Sequence, residues 1–358
     1  SYVLGGRGME IVYDHNDLKT YVAKAALVSG EHPILIDDFL ENAYEFDVDA
    51  LCDGQDVYIA GIMQHIEEAG IHSGDSACVL PAYELSVNDR DIIEKHTTQL
   101  ALSLNTIGLI NIQFAIQNHE VSVLEVNPRA SRTVPFISKV KDIPLAKIAS
   151  QLAVGRKLKD YKLDNRKSNG LIAVKKPVFP FNKFPNQSIF LSPEMKSTGE
   201  VIGLDTHLGS AYAKAEIGAG NSIPLKGNIF ISVNEIDKMK VIPIARDFDE
   251  LGYQIIATEG THKLLNQNGI KCTSIAKVGE GRPNVVDYIK NGDIQFIINT
   301  PLGQKSRYDE YEIGKSAIRY NISATTTISG AEAALRAIRR IKNHTMSYRS
   351  LQDIFGAD

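Results

Sequence analysis

Ile110-Asn111-Ile112-Gln113-Phe114-Ala115-Ile116, a turn at Asn118-His119, and Val121-Ser122-Val123-Leu124-Glu125-Val126-Asn127 read together as an antiparallel hairpin, two apolar runs joined by a polar turn. Glu125 and Asn127 stand at i and i+2, so they project from one face of the return strand, with Gln113 on the facing strand. A carboxylate, a carboxamide and an amide carbonyl are hard oxygen ligands. Magnesium takes a few of these and completes its shell with water and substrate phosphates. Pro128 stops the strand, and Arg129 and Arg132 follow. A magnesium patch beside arginines suits phosphoryl transfer, because metal and guanidinium together neutralise the phosphates. A solvated hairpin end with ordinary surface charges fits the same spacing.

Working upstream, residues 45–54 alternate acidic and apolar, Asp53-Gly54-Gln55 is a turn, and 57–63 is the return strand of an earlier hairpin. Glu45, Asp47 and Asp49 share one face, which spacing alone assigns to solvent. The segment from Gln64 to Ser76 holds His65, Glu67, Glu68, Gly70, Ile71, His72, Ser73, Gly74 and Asp75. Its glycines would let backbone N–H groups approach a ligand, and a polar surface loop is the plainer alternative. Strands are expected at 33–36 and 76–80, and helices at 16–28 and 89–106. Tyr2-Val3-Leu4 reads as a strand running into Gly5-Gly6-Arg7-Gly8, a phosphate-covering flap or a plain turn. A chain opening inside a strand is expected to be a piece of something longer. This first part reads as α+β with an antiparallel sheet.

Working downstream, 144–154 is a helix, and Pro177, Pro180, Pro185 and Pro193 mark a loop-rich stretch. Residues 219–227 read as the main boundary, giving units 1–220 and 221–358. Beyond it, strands at 229–233, 253–258, 273–278, 294–299 and 322–327 alternate with helices, Pro243 lying inside the first. Five such units predict an α/β doubly wound parallel sheet. Its strand ends carry Thr258-Glu259-Gly260-Thr261, Lys277, Asn299-Thr300-Pro301-Leu302-Gly303 and Thr325-Thr326-Thr327. Open α/β sheets bind ligands at that edge, so a phosphate-bearing small molecule fits, while helix capping would explain the same residues. With no catalytic base in the cluster, it reads as a binding site. The helix at 331–341, with Arg336, Arg339 and Arg340, reads as amphipathic with a basic outer face.

The chain has 358 residues, room for two or three domains. Lysine plus arginine total 39 against 43 acidic residues, a balance of −4 that argues against nucleic-acid binding through bulk charge. No apolar run approaches the ~20 residues that cross a bilayer. The three cysteines, at 52, 78 and 272, form neither a disulfide framework nor a zinc pattern, and point to a cytoplasmic location.

Several longer strings resemble the carboxyl-terminal part of carbamoyl phosphate synthetase large subunits. They are Ser1-Tyr2-Val3-Leu4-Gly5-Gly6-Arg7, His72-Ser73-Gly74-Asp75-Ser76, Leu124-Glu125-Val126-Asn127-Pro128-Arg129-Ala130-Ser131-Arg132-Thr133, Phe179-Pro180-Phe181-Asn182-Lys183-Phe184, Ser197-Thr198-Gly199-Glu200-Val201 and Glu280-Gly281-Arg282-Pro283. The resemblance covers essentially the whole chain. It implies an α+β ATP-grasp domain, truncated at its start, followed by a methylglyoxal-synthase-like domain with a doubly wound parallel sheet. The activity implied is phosphorylation of carbamate by ATP, for pyrimidine and arginine synthesis. Magnesium (or manganese) and potassium would be cofactors. A glutamine amidotransferase small subunit, bicarbonate-derived carbamate and a nucleotide effector, UMP, would be partners, within a homo-oligomer of the full enzyme.

By the same resemblance Gln113, Glu125 and Asn127 match metal ligands that bridge the ATP phosphates, and Arg129 and Arg132 face the carbamate. Leu40 and Glu45 match adenine and ribose contacts, and Gly70, Ile71, His72 and Ser73 the loop around the nucleotide. His65, Glu67 and Ser76 match a monovalent-cation site. Lys238, Thr258, Thr261, Lys277 and Asn299 match the UMP pocket, where Pro301 replaces a second threonine and cannot donate a hydrogen bond. Ornithine-activated relatives carry an acidic residue at Lys176 and an aromatic one at Ala324, so no ornithine activation is expected. Segments that complete the ATP site precede Ser1 in relatives, so the chain alone is expected to have little synthetase activity. The rival readings are another ATP-grasp carboxylate–amine ligase, a non-catalytic nucleotide-sensing fragment, and a lyase for the last domain, which lacks the aspartates that chemistry would use.

Overall fold

The computed structural model describes residues 6, 8–12, 14–29, 33–40, 43–67, 69–163, 170–181, 191, 193–300 and 304–356. Helix α1 (His15–Ser29) precedes a seven-stranded antiparallel sheet of order β5-β4-β1-β2-β3-β6-β7. Its strands are β1 (Tyr44–Asp53), β2 (Val57–His65), β3 (Cys78–Leu80), β4 (Ile107–Gln117), β5 (Glu120–Asn127), β6 (Ile172–Val178) and β7 (Gly199–Asp205). Asp53 builds the first hairpin turn: its Oδ1 accepts the N–H groups of Gln55 and Asp56 at 2.9 and 2.8 Å. At the second turn Gln117 pairs with Glu120, and both Asn118 and His119 have positive φ, the mirror-image two-residue turn that matches strand twist.

Helix α2 (Val87–Ser103), capped by the Ser86 hydroxyl, covers one face of this sheet over Phe46, Val48, Ala50, Cys52, Ile110, Ile112 and Phe114. Helices α3 (Val134–Lys141) and α4 (Leu145–Ala153) cover part of the other face, over Leu51, Met63 and Leu109. The odd-numbered side chains of β1 share that second face, and it is buried along its length: Asp47 is 2 % and Asp49 0 % exposed. These acids therefore do not lie on a solvent side, as spacing had suggested.

Helix α5 (Leu208–Gly218) packs against β7. The five-stranded sheet, β8 (Asn228–Val233), β9 (Gln254–Thr258), β10 (Cys272–Ile275), β11 (Phe296–Thr300) and β12 (Ser323–Thr325), is wholly parallel, with order β10-β9-β8-β11-β12. Helices α6 (Lys238–Glu250), α7 (Glu259–Gln267), α8 (Val285–Lys290), α9 (Gln304–Arg319) and α10 (Ile328–Asn343) connect and follow the strands, and α11 (Leu351–Phe355) ends the described chain. The strand order reverses between β8 and β11, as the doubly wound reading requires. The core under α6 and α10 continues through Ala211 and Ala215 of α5 to Val174 and Val79. Helix α5 is thus shared by both sheets. A Cβ at Gly203 would lie 1.9 Å from the Ala211 carbonyl oxygen, and one at Gly209 2.4 Å from that of Arg336, so α5 touches β7 and α10 backbone to backbone.

Three expectations change. Among the described residues, 33–36 join no sheet, and Leu35 and Ile36 are exposed, because a short apolar run with no strand paired to it forms no ladder. The proline-punctuated stretch contains β6 and β7: Pro177 pairs with Glu200 at a level where β3 has already ended, so one edge has no ladder to interrupt. Helices α3, α5 and α11 add to the expected set. The strand at 2–4, Gly5, Arg7, residues 182–184, Glu68 and the loop at 301–303 lie outside the described residues.

Candidate active site

Strand register assembles the centre. Glu125 lies opposite Gln113, which lies opposite Asp47; one rung along, Asn127 faces Asn111, which faces Asp49. Directly opposed residues, and residues two apart, share a sheet face, so Gln113, Glu125 and Asn127 do converge. Exposure grades across the rungs: Asp47, Asp49 and Asn111 are buried, Gln113 and Asn127 half-buried, Glu125 exposed. An exposed carboxylate flanked by two amides fits a divalent ion that keeps several waters. Gln113 Nε2 donates to Ser73 Oγ at 2.8 Å, which turns Oε1, the oxygen that could accept a cation, the other way.

Behind this face sits a buried charge cluster. His65 Nε2 is 2.9 Å from Asp47 Oδ2, and its Nδ1 is 3.1 Å from a Glu45 oxygen, off the line of a hydrogen bond. Burial opposes charge on His65, but the Cys78 sulfur, Asp47 and Glu45 outweigh it and hold its pKa well above 6.5. Burial likewise opposes ionisation of Asp47, yet His65 and Lys175 keep its carboxyl below the usual range. Asp49 differs. Burial pushes it up to about 6, against hydrogen bonds from Thr133 and Ser131, the latter at 2.7 Å. Asn111 Nδ2 spans the two acids, 3.4 Å from Asp47 and 3.2 Å from Asp49.

The segment after β2 folds over this centre. Gly70 N–H donates to Glu45 Oε1 at 3.2 Å, and a Cβ at Gly70 would meet the Phe39 ring at 2.7 Å, so the 33–40 stretch carrying half-buried Leu40 lies against the same loop. His72 Nδ1 accepts from Gly74 N–H at 2.9 Å, and Asp75 anchors the Lys196 and Ser197 amides. Burial lowers the His72 pKa. Lys175, fully buried, donates Nζ to the Ser73 carbonyl at 3.0 Å. Arg132 reaches Ser197 Oγ at 3.2 Å and so joins the loop; Arg129 is exposed and donates to the adjacent Ala130 carbonyl at 3.1 Å.

His65, Glu67 and Ser76 meet where β2 leaves and β3 begins. Glu67 accepts the Ala77 N–H, and Ser76 Oγ is buried without a partner among the described residues, an orphan oxygen that fits a cation ligand. Burial raises the Glu67 pKa despite Lys176. Lys176 itself is 2.9 Å from Glu216, and Glu216 also holds Asn221 Nδ2 at 2.6 Å. Sequence reasoning passed over Asn111, Lys175, Ser131 and Thr133. Asp47 and Asp49 gave a signal, the alternation of β1, but not the burial.

At the carboxyl edge of the parallel sheet, Thr258 Oγ1 donates to Ser232 Oγ at 3.2 Å and Thr261 Oγ1 accepts Val233 N–H at 3.3 Å. Lys238 Nζ lies 4.0 Å from where a Cβ of Gly260 would stand, and pairs with Glu235. Buried Asn299, the last residue but one of β11, lies opposite Ser232, and exposed Lys277 follows β10.

Residues 1–161 match the family profile described as carbamoyl-phosphate synthase L chain, ATP binding domain, and residues 240–326 match the MGS-like domain. The chain is 53 % identical over 354 residues to a carbamoyl phosphate synthase large chain of Archaeoglobus fulgidus, covering 99 % of this chain and 33 % of that one. It is 48 % identical over 376 residues to the C-terminal section of the Aquifex aeolicus large chain, covering 99 % and 70 %. It thus spans about a third of the full-length relatives. Among solved structures, a biotin carboxylase–β,γ-ATP complex from Campylobacter jejuni aligns at 16 % identity and TM-score 0.48, over 60 % of this chain and 54 % of that one. The fold class is an ATP-grasp domain followed by a parallel MGS-like α/β domain. No described helix is long and apolar enough to cross a membrane.

Proposed function

The chain belongs to the carbamoyl phosphate synthase large-chain family, and from that premise we propose that residues 1–220 take part in phosphorylating carbamate with ATP. The single observation that carries this is the register pairing Glu125 with Gln113, with Asn127 two residues on. A carbamate oxygen attacks the γ-phosphorus as the bond to the β–γ bridging oxygen breaks, giving carbamoyl phosphate and ADP. Gln113, Glu125 and Asn127 hold the magnesium or manganese, which when bound offsets charge on the phosphates. Arg132, held against Ser197, and Arg129 flank the acceptor, and the loop from Gly70 to Ser73 covers the nucleotide. No side chain forms a covalent intermediate; catalysis is positioning plus charge neutralisation.

In the protein carrying this chain, Glu125→Gln is expected to lower ADP release dependent on carbamate at least about 100-fold, with an unchanged melting temperature. An unchanged rate would remove the assignment.

The finer reading follows the same premise. His65, Glu67 and Ser76 take potassium. Residues 221–358 form the effector unit, with UMP held by Lys238, Thr258, Thr261, Lys277 and Asn299. A glutamine amidotransferase small subunit supplies ammonia, and the product serves pyrimidine and arginine synthesis in the cytoplasm. The Lys176 ammonium between Glu216 and Glu67 supports the absence of ornithine activation, because a positive charge already stands there. UMP titrated against Thr258→Val should bind about tenfold more weakly than to the parent; equal affinity would refute the pocket.

A further inference from the structure

An open cleft of about 460 Å³ runs along the seam where α5 begins beside α10, away from both regions described above. Three guanidinium groups within about one turn of α10 line it, Arg336, Arg339 and Arg340, together with Thr206, His207 and His344. Its floor is fixed, because Gly209 brings α5 into backbone contact with Arg336.

Charge does not balance within it. Arg339 is neutralised by Asp247 at 2.7 Å. Asp205, near His207, is taken up by Lys214 at 2.8 Å. Arg340 donates only to the neutral Ser210 hydroxyl at 3.2 Å, and Arg336 has no ion pair or hydrogen bond among the described residues; Glu332, one turn earlier, stays beyond ion-pair distance. Arg340 thus has no counter-charge within ion-pair distance among the described residues, and Arg336 only the longer-range attraction of Glu332, in a chain whose net charge is −4. Guanidinium groups recognise phosphate and carboxylate in bidentate fashion, and the volume suits a small metabolite.

We propose that this seam binds a compact dianion, a phosphate or polycarboxylate group of a small molecule, between Arg336 and Arg340. Such a ligand would touch α5 and α10 together, one helix packed on each sheet.

The test titrates inorganic pyrophosphate and citrate, as the phosphate and carboxylate arms, into the full chain by calorimetry. An Arg129→Ala, Arg132→Ala, Lys238→Ala, Lys277→Ala background weakens the other candidate anion sites. At least one probe should bind at submillimolar concentration, and the stronger arm names the anion class. Arg336→Glu should weaken binding at least about tenfold while Arg336→Lys stays within a few-fold. Arg336 is exposed and makes no hydrogen bond or ion pair among the described residues, so Arg336→Lys should melt like the parent and Arg336→Glu should stay folded with only a small loss from its like-charge neighbour Glu332. Absence of heat from both probes, or equal affinity in Arg336→Glu, overturns the proposal.

Discussion

The two sheets handle polarity in opposite ways. The antiparallel sheet buries Asp47, Asp49, His65 and Lys175 within one face and leaves their neighbour Glu125 open at its edge strand. The parallel sheet is apolar on both faces, Ile229, Ile231, Ile255 and Ile298 on one side and Phe230, Ile256 and Ile297 on the other, and its polar groups stand at strand ends. Helices cover both faces of a parallel sheet, so its chemistry must sit on the rim. An antiparallel sheet half-covered by α3 and α4 can keep a polar sector on its face if every charge there is partnered. The first region should therefore be rigid and sensitive to loss of any one charge, and the second tolerant.

The loss of turnover in Glu125→Gln is the largest expected effect, since that carboxylate has no structural duty in the cluster. Next comes His65→Ala, which strands Asp47 and Glu45 and should cost about 3–5 kcal/mol in denaturant unfolding at pH 6. The raised His65 pKa fixes the sign of its pH dependence. Its contribution is full below pH 6.5 and fades as pH climbs through the higher folded value, so the variant should lose less at pH 9. A cost independent of pH would mean that packing, not charge, matters there.

Asp49 gives the opposite slope to a surface carboxylate. Its pKa rises from 3.8 to about 6 on folding, so folding favours the protonated form. The stability this lends is full below pH 3.8 and lost as pH rises to about 6, roughly 3 kcal/mol in all. Unfolding curves of Asp49→Asn against the parent should shift toward the variant by about that amount between pH 4 and pH 7. A constant difference would show that Asp49 is ionised throughout. Thr258→Val marks the small end: it removes one 3.2 Å hydroxyl pair and should cost about 1 kcal/mol.

Local patterns carried much of this. The five parallel strands were legible because each apolar run ends at a turn and is followed by a helix, and the shared face of Glu125 and Asn127 because they stand two apart. The hairpin turns announced themselves through Asp53-Gly54 and Asn118-His119. What failed was long-range. Nothing near Asp47 in the chain tells that Lys175 lies in its neighbourhood, or that Thr133 and Ser131 bond Asp49, because those meetings depend on strand order. Pro177 misled for the same reason: whether a proline breaks a ladder depends on where the neighbouring strand stops.

Helix α5 is seated on both sides by missing atoms, at Gly203 against β7 and at Gly209 against α10. Its freedom to slide is accordingly limited by shape rather than by bonds. A single methyl at either position would act as a wedge, prising one sheet from the other, and motion in one half of the molecule has this seat as a direct mechanical route to the other.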